Sequence, residues 1–157
     1  MLLEPLSIAR RPSTGELDIV IPATPSAIPI VTEGVIQFLQ DTEWSQDELG
    51  WIELALREAL ANGIRHGCNG DPSKHVECSV TCEPDDLTIV VRDEGQGFDL
   101  ATVPDPIDET NLLRANGRGV FLIKQLMDEV AYENGGRAVR MRLRRDRSRL
   151  GGLHPQL

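Results

Sequence analysis

The sequence predicts an α/β protein of the two-layer α+β kind, a mixed, largely antiparallel sheet with helices on one face. Three observations point there. Short alternating stretches come in adjacent pairs that read as hairpins, two amphipathic helical stretches follow the first strand in succession, and a long glycine- and proline-punctuated segment precedes the last helix. Strands grouped in hairpins cannot all be joined by right-handed parallel crossovers, so antiparallel pairing must dominate. The 157 residues supply one core and are too few for two ordinary domains.

Residues 1–15, with Pro5, Pro12 and Gly15, show no period and are expected to form a flexible leader; 16–147 is the expected folded domain and 148–157 a flexible tail. In ELDIVIP, Leu17, Ile19 and Ile21 alternate with their neighbours, so a strand ends at Pro22. Thr24-Pro25-Ser26 opens a helix whose stripe is Ile28, Val31, Val35, Ile36 and Leu39. Ser45 is an N-cap with Glu48 three residues on, a capping box for a second helix running to about Gly67. Its apolar face is Ile52, Ala55, Leu56, Ala59, Leu60 and Ile64, and its polar face carries Glu58, Asn62, Arg65 and His66. HVECSVTCE and DLTIVVRDE form a hairpin turning at Pro84-Asp85-Asp86. From Glu94 to about Arg118 regular patterning stops, and long loops inside compact domains are usually functional. VFLIKQLMDEV resumes helical spacing, Glu129 to Glu133 reads as strand, Gly135-Gly136 turns, and Ala138, Val139, Met141 and Leu143 mark the final strand.

Composition narrows the function classes. No apolar run approaches the roughly 20 residues of a membrane helix, and the N-terminus lacks the pattern of a secretory signal, so a cytoplasmic protein without a membrane partner is expected. Cys68, Cys78 and Cys82 are odd in number and form no Cys-x-x-Cys pair, which favours reduced buried thiols over disulfides or zinc. From Arg137 onward seven Arg face only Asp146, a local balance of +6, which leaves −15 of the total −9 on residues 1–136. An acidic body argues against nucleic acid as the main ligand. The alternating Arg of RAVRMRLRR suit the solvated face of a strand.

Three stretches could carry chemistry. Glu58 and Asn62 stand four apart on one helix, which stacks a carboxylate and an amide about one turn apart. Such a pair can hold Mg2+ through the Asn oxygen, phosphates and water supplying the other ligands, with Glu58 free to accept a proton. In RDEGQGFD, Asp93 ends an apolar strand and can accept a hydrogen bond from an exocyclic amine such as adenine's, while Gly95 and Gly97 allow a sharp turn or close approach. GRGVFLI puts Gly117 and Gly119 immediately before a helix, where free N–H groups and the helix dipole favour an anion, with Arg118 between them. The spacing is neither a Walker A loop nor a dinucleotide fingerprint.

In that order, these stretches resemble the three boxes of the Bergerat-fold ATPases: ELALREALANGIRHG the first, RDEGQGFD the second, GRGVFLI the third. Within that superfamily the chain looks most like the small anti-sigma factor serine/threonine kinases, which share the Asn-x-x-x-His-Gly continuation seen at Asn62 to Gly67. The sequence shows no dimerisation helix with a phosphoacceptor His and no transducer domain, so a complete sensor histidine kinase and the gyrase- and chaperone-like machines are not expected. The resemblance implies Glu58 as general base and Asn62 as Mg2+ ligand. It implies a nucleotide site of Asn62, His66, Asp93, Gly95, Gly97, Phe98, Arg114, Gly117, Arg118, Gly119 and Val120, with the segment from Asp99 to Asn116 as lid. That lid reads DPIDETNLLRAN where kinase relatives have Thr-Thr-Lys, so Arg114 and Arg118 are both candidates for its phosphate contact. ATP and Mg2+ are the implied cofactors, an anti-anti-sigma protein of the STAS type the implied phosphoacceptor, and a sigma factor or other regulatory target a competing partner; a homodimer is suggested by the same likeness. The alternatives are a nucleotide-sensing module that sequesters a partner without phosphoryl transfer, and an ATPase driving conformational work.

Overall fold

A computed structural model describes residues 8–11, 15–40, 42, 44–95 and 115–144. The side chains of 8–11 and 115–118 lie outside that description. Among the described residues six strands form one sheet in the order β1-β2-β3-β4-β6-β5, and every pairing is antiparallel. β1 is Ile8–Arg11, β2 Glu16–Pro22, β3 His75–Glu83, β4 Asp86–Asp93, β5 Glu129–Glu133 and β6 Ala138–Arg144. β1 lies inside the stretch expected to lack regular structure: it pairs with β2, Ile8 opposite Ile19. Its four residues are too short for a period to declare them, and the neighbouring strand supplies the partner that local sequence cannot show.

Between β2 and β3 the chain forms a 3-10 turn, Pro25–Ala27, then helices α1, Ile28–Gln40, and α2, Gln46–Asn62. The capping box at the start of α2 is complete: Glu48 N–H donates to Ser45 Oγ at 3.1 Å, and Ser45 N–H donates to Glu48 Oε1 at 2.9 Å. A third helix, α3, runs from Ala115 to Leu126. One apolar layer joins the inward side chains of β2, β3, β4 and β6 to α1, α2 and α3. Ile52, Leu56 and Leu60 of α2 are fully buried within it, each contributing about 1.5–3 kcal/mol relative to exposure. On α1 the buried set is Val31, Thr32, Val35, Phe38 and Leu39, with Ile28 and Ile36 only partly covered. The helix is therefore rotated from the expected stripe toward Phe38, whose large ring gains more from burial than Ile36.

The outer sheet face is charged and paired. Arg142 clasps Asp86 across β4–β6, Nη2 to Oδ2 at 2.7 Å, and also reaches Glu129 on β5, while Arg140 meets Glu133 and Arg144 meets Glu129. The alternating arginines thus occupy a solvated strand face beside carboxylates, and such exposed pairs contribute little individually. Cys68, Cys78 and Cys82 are free and buried. Burial, reinforced by nearby Asp18 and Glu77, pushes the Cys78 thiol up to about 12, so it stays protonated and inert. Among the described residues no helix is long and apolar enough to cross a membrane.

Candidate nucleotide site

The site grows from the C-terminal half of α2. Glu58 and Asn62 stand one turn apart and half-buried, and the next turn does not remain α-helical: Gly63–Gly67 widens into a π-turn. Cys68 N–H bonds Gly63 C=O at 2.9 Å, five residues back. Such local widenings are frequent at functional sites.

Two close approaches bring the three separated stretches together. A Cβ added to Gly119 would stand 3.0 Å from Asn62 Nδ2 and 3.2 Å from Glu58 Oε2. Glycine therefore lets the backbone of α3 rest directly on the carboxylate–amide pair. At the other end, a Cβ on Gly67 would press into the Asp93 carboxylate, and one on Gly95 would run into the Gly67 carbonyl. The end of α2, the end of β4 and the start of α3 thus meet at one place.

Between them lies a cavity of about 260 Å3. Ala59, Val91, Val120, Ile123 and Val139 give it apolar walls, and Asn62, His66, Asp93 and Arg137 place polar groups in it. An apolar slot with a few convergent polar groups suits a flat heteroaromatic ring. Asp93 Oδ1 accepts the Gly95 N–H at 2.8 Å. Burial holds the Asp93 carboxyl above the usual carboxylate range, opposed by that bond and by the charges of Arg137 and Lys74. His66 is exposed at the rim, its ring drawn below its ordinary value by partial burial and then by Arg65, which favours the neutral imidazole at pH 7.

Of the residues expected from sequence, Asn62, His66, Asp93 and Val120 line the cavity. Glu58 is not on its wall but lies beside Gly119, and Gly95 closes the turn beneath Asp93. Gly97, Phe98 and Arg114 fall outside the described residues, as does most of the expected lid. One expectation needs correction. The glycines do not precede α3 but lie within it, because the helix starts at Ala115. Among the described residues its free N–H groups are then those of 115–117, and Gly119, a turn further on, packs closely on Asn62 and Glu58. Arg137 and Tyr132 were missed as lining residues. Burial pushes the Tyr132 phenol up to about 12. Only the β5–β6 pairing, which sets Tyr132 opposite Val139, could have placed it there.

Comparison with known proteins places the chain in a family. Residues 21–143 match the histidine kinase-like ATPase domain. The chain is 35% identical over 102 residues to an anti-sigma F factor of Geobacillus kaustophilus, covering 64% of this chain and 70% of that protein. It is 25% identical over 124 residues to the serine-protein kinase RsbW of Oceanobacillus iheyensis, covering 75% and 78%, and 26% identical over 123 residues to RsbW of Listeria monocytogenes, covering 73% and 78%. The match spans every element from the end of β2 to β6, including both approaches at Gly119 and Gly95, and the chain belongs to the histidine kinase-like ATPase family.

Proposed function

We propose that this domain is an ATP-dependent protein serine/threonine kinase, acting in the cytoplasm as an anti-sigma factor or similar partner-switching regulator. Its phosphoacceptor would be an anti-anti-sigma protein of the STAS type, and a sigma factor or other regulatory target would compete for the same domain. The names of the similar proteins, anti-sigma F factor and serine-protein kinase, support this. The observation that carries it is the seating of Gly119 on Glu58 and Asn62 at one end of a cavity whose other wall holds Asp93. In this reading the Glu58–Asn62 pair handles the phosphates and Asp93 holds the base.

Among the described residues no three His, Cys, Asp or Glu side chains gather into a metal-binding group. One amide oxygen beside one carboxylate suits a hard cation that brings phosphate and water oxygens as its remaining ligands, so Asn62 fits Mg2+. When bound, Mg2+ offsets the phosphate charge. Asp93 accepts the exocyclic amine of adenine through the oxygen not committed to Gly95, and the apolar walls hold the ring. Glu58 orients the incoming Ser or Thr hydroxyl and takes its proton as the hydroxyl oxygen bonds to the γ-phosphorus and the bond to the β,γ-bridging oxygen breaks, leaving ADP. Phosphorylation adds about two negative charges to the acceptor, enough to disrupt a fitted interface and free the kinase for its other partner.

Radiolabelled ATP incubated with the protein and STAS-type acceptor domains tests this. Label is expected on an acceptor Ser or Thr. Glu58→Gln should retain ATP binding and lose transfer by about 10²–10⁴-fold. Labelled inorganic phosphate with an unlabelled acceptor would overturn the kinase assignment.

A further inference from the structure

Arg137 has no part in the chemistry described above, yet it borders the cavity. It follows a turn in which Gly135 and Gly136 take positive φ, 65° and 86°, a conformation that swings the start of β6 back toward the end of β4. There it closes a ring of hydrogen bonds. Asp93 N–H donates to the Arg137 carbonyl at 2.8 Å, Arg137 Nε–H donates to the Gly95 carbonyl at 2.8 Å, and Gly95 N–H donates to Asp93 Oδ1 at 2.8 Å. Two of these links start from backbone N–H groups, which nearly any residue supplies; the Nε–H link depends on arginine. It ties the turn after β4 to β6 across the mouth of the base pocket, and that turn fixes one carboxylate oxygen of Asp93.

We propose that Arg137 is a positioning residue of the base pocket, holding the Gly95 turn so that the free oxygen of Asp93 meets the exocyclic amine of a 6-aminopurine. This rests on the nucleotide assignment above and extends it to selectivity. Without the Nε–H link the Gly95 carbonyl loses its partner and the turn can relax, so Asp93 Oδ1 loses its fixed donor and the carboxylate its fixed direction. A lysine keeps the charge but not the planar Nε–H geometry.

The test compares two triphosphates that differ only in the amine, Mg-ATP and Mg-purine riboside triphosphate, titrated calorimetrically into wild type, Arg137→Ala and Arg137→Lys. Wild type is expected to prefer ATP by about tenfold or more, the worth of one good polar contact. In Arg137→Ala that preference should fall to within about twofold, with Arg137→Lys between. A merely structural role would weaken both ligands equally and preserve the preference, which overturns the inference; so would an unchanged or tighter ATP affinity in Arg137→Ala. Should the alanine variant not fold, the lysine variant decides the matter by the same ratio. Wild type that binds both triphosphates equally refutes the amine contact of Asp93, and wild type that binds neither refutes the nucleotide assignment, each taking this inference with it.

Discussion

The two ends of α2 are built on opposite principles. At its start Ser45 and Glu48 satisfy each other's backbone N–H groups, and Leu49, Ile52 and Leu56 are buried in the core. At its finish the α-helical ladder gives way to a π-turn, glycines replace side chains where β4 and α3 press in, and Glu58, Asn62 and His66 stay accessible. One element thus serves as an anchor at one end and, under the proposed function, as a receptor at the other. Stability and ligand binding should therefore respond separately to substitutions along it.

The largest separation is expected at the receptor end. Gly119→Ala would set a methyl group 3.0 Å from Asn62 Nδ2 and 3.2 Å from Glu58 Oε2, and nucleotide affinity should fall tenfold or more, about 1.4 kcal/mol or above. Its melting temperature should change little, because leaving glycine removes a helix penalty of about 0.5–1 kcal/mol that offsets the crowding. Calorimetric titration beside thermal melts measures both, and unchanged affinity in a folded variant would detach α3 from the site. Ser45→Ala is the converse. Losing the cap costs about 1 kcal/mol, a drop of roughly 2–4 °C for a domain of this size, while ATP affinity stays constant; an affinity change would mean that the ends are coupled.

The smallest effect concerns pH. The Asp93 carboxyl titrates above its unfolded value because burial outweighs the Gly95, Arg137 and Lys74 contributions. The stability linked to its proton is fully present below the unfolded pKa and is lost as pH rises through the folded pKa. Asp93→Asn should therefore match wild type more closely in acid and be slightly the more stable of the two at neutral pH, while binding adenine nucleotides less tightly there. Melting curves from pH 4 to 8 would show the two lines diverging upward with pH, and parallel lines would mean that the burial of Asp93 carries no cost.

Local signals carried most of the architecture. The capping box, the hairpin turn at Pro84-Asp85 and the strand Glu129–Glu133 each rest on residues within a few positions of one another, where propensity and periodicity act directly. The antiparallel character of the sheet was legible in its hairpins, and among the described residues every pairing is antiparallel, whereas the strand order was not legible because it depends on pairing between β4 and β6, about fifty residues apart. Distance in sequence also explains what the site concealed. Asn62 and Asp93 stand out by residue type at a helix face and a strand end, whereas Arg137 looked like one more arginine on a strand until its backbone carbonyl and Nε were found on Asp93 and Gly95. The start of α3 was misplaced because Gly117 and Gly119 are poor helix formers, and packing on α2 overrode that preference.

The walls of the cavity come from residues as far apart in the chain as Ala59 and Val139. No single hairpin or helix pair can make a partial version of it, since the ring through Asp93, Gly95 and Arg137 closes only when β6 has docked beside β4. A ligand that fits this space therefore recognises the finished topology and nothing earlier on the folding route. By mass action, at a hundred times its dissociation constant such a ligand adds about 2.7 kcal/mol to the native state. Under the proposed function the domain's resistance to unfolding would therefore rise with the concentration of its nucleotide, whatever the state of its partners.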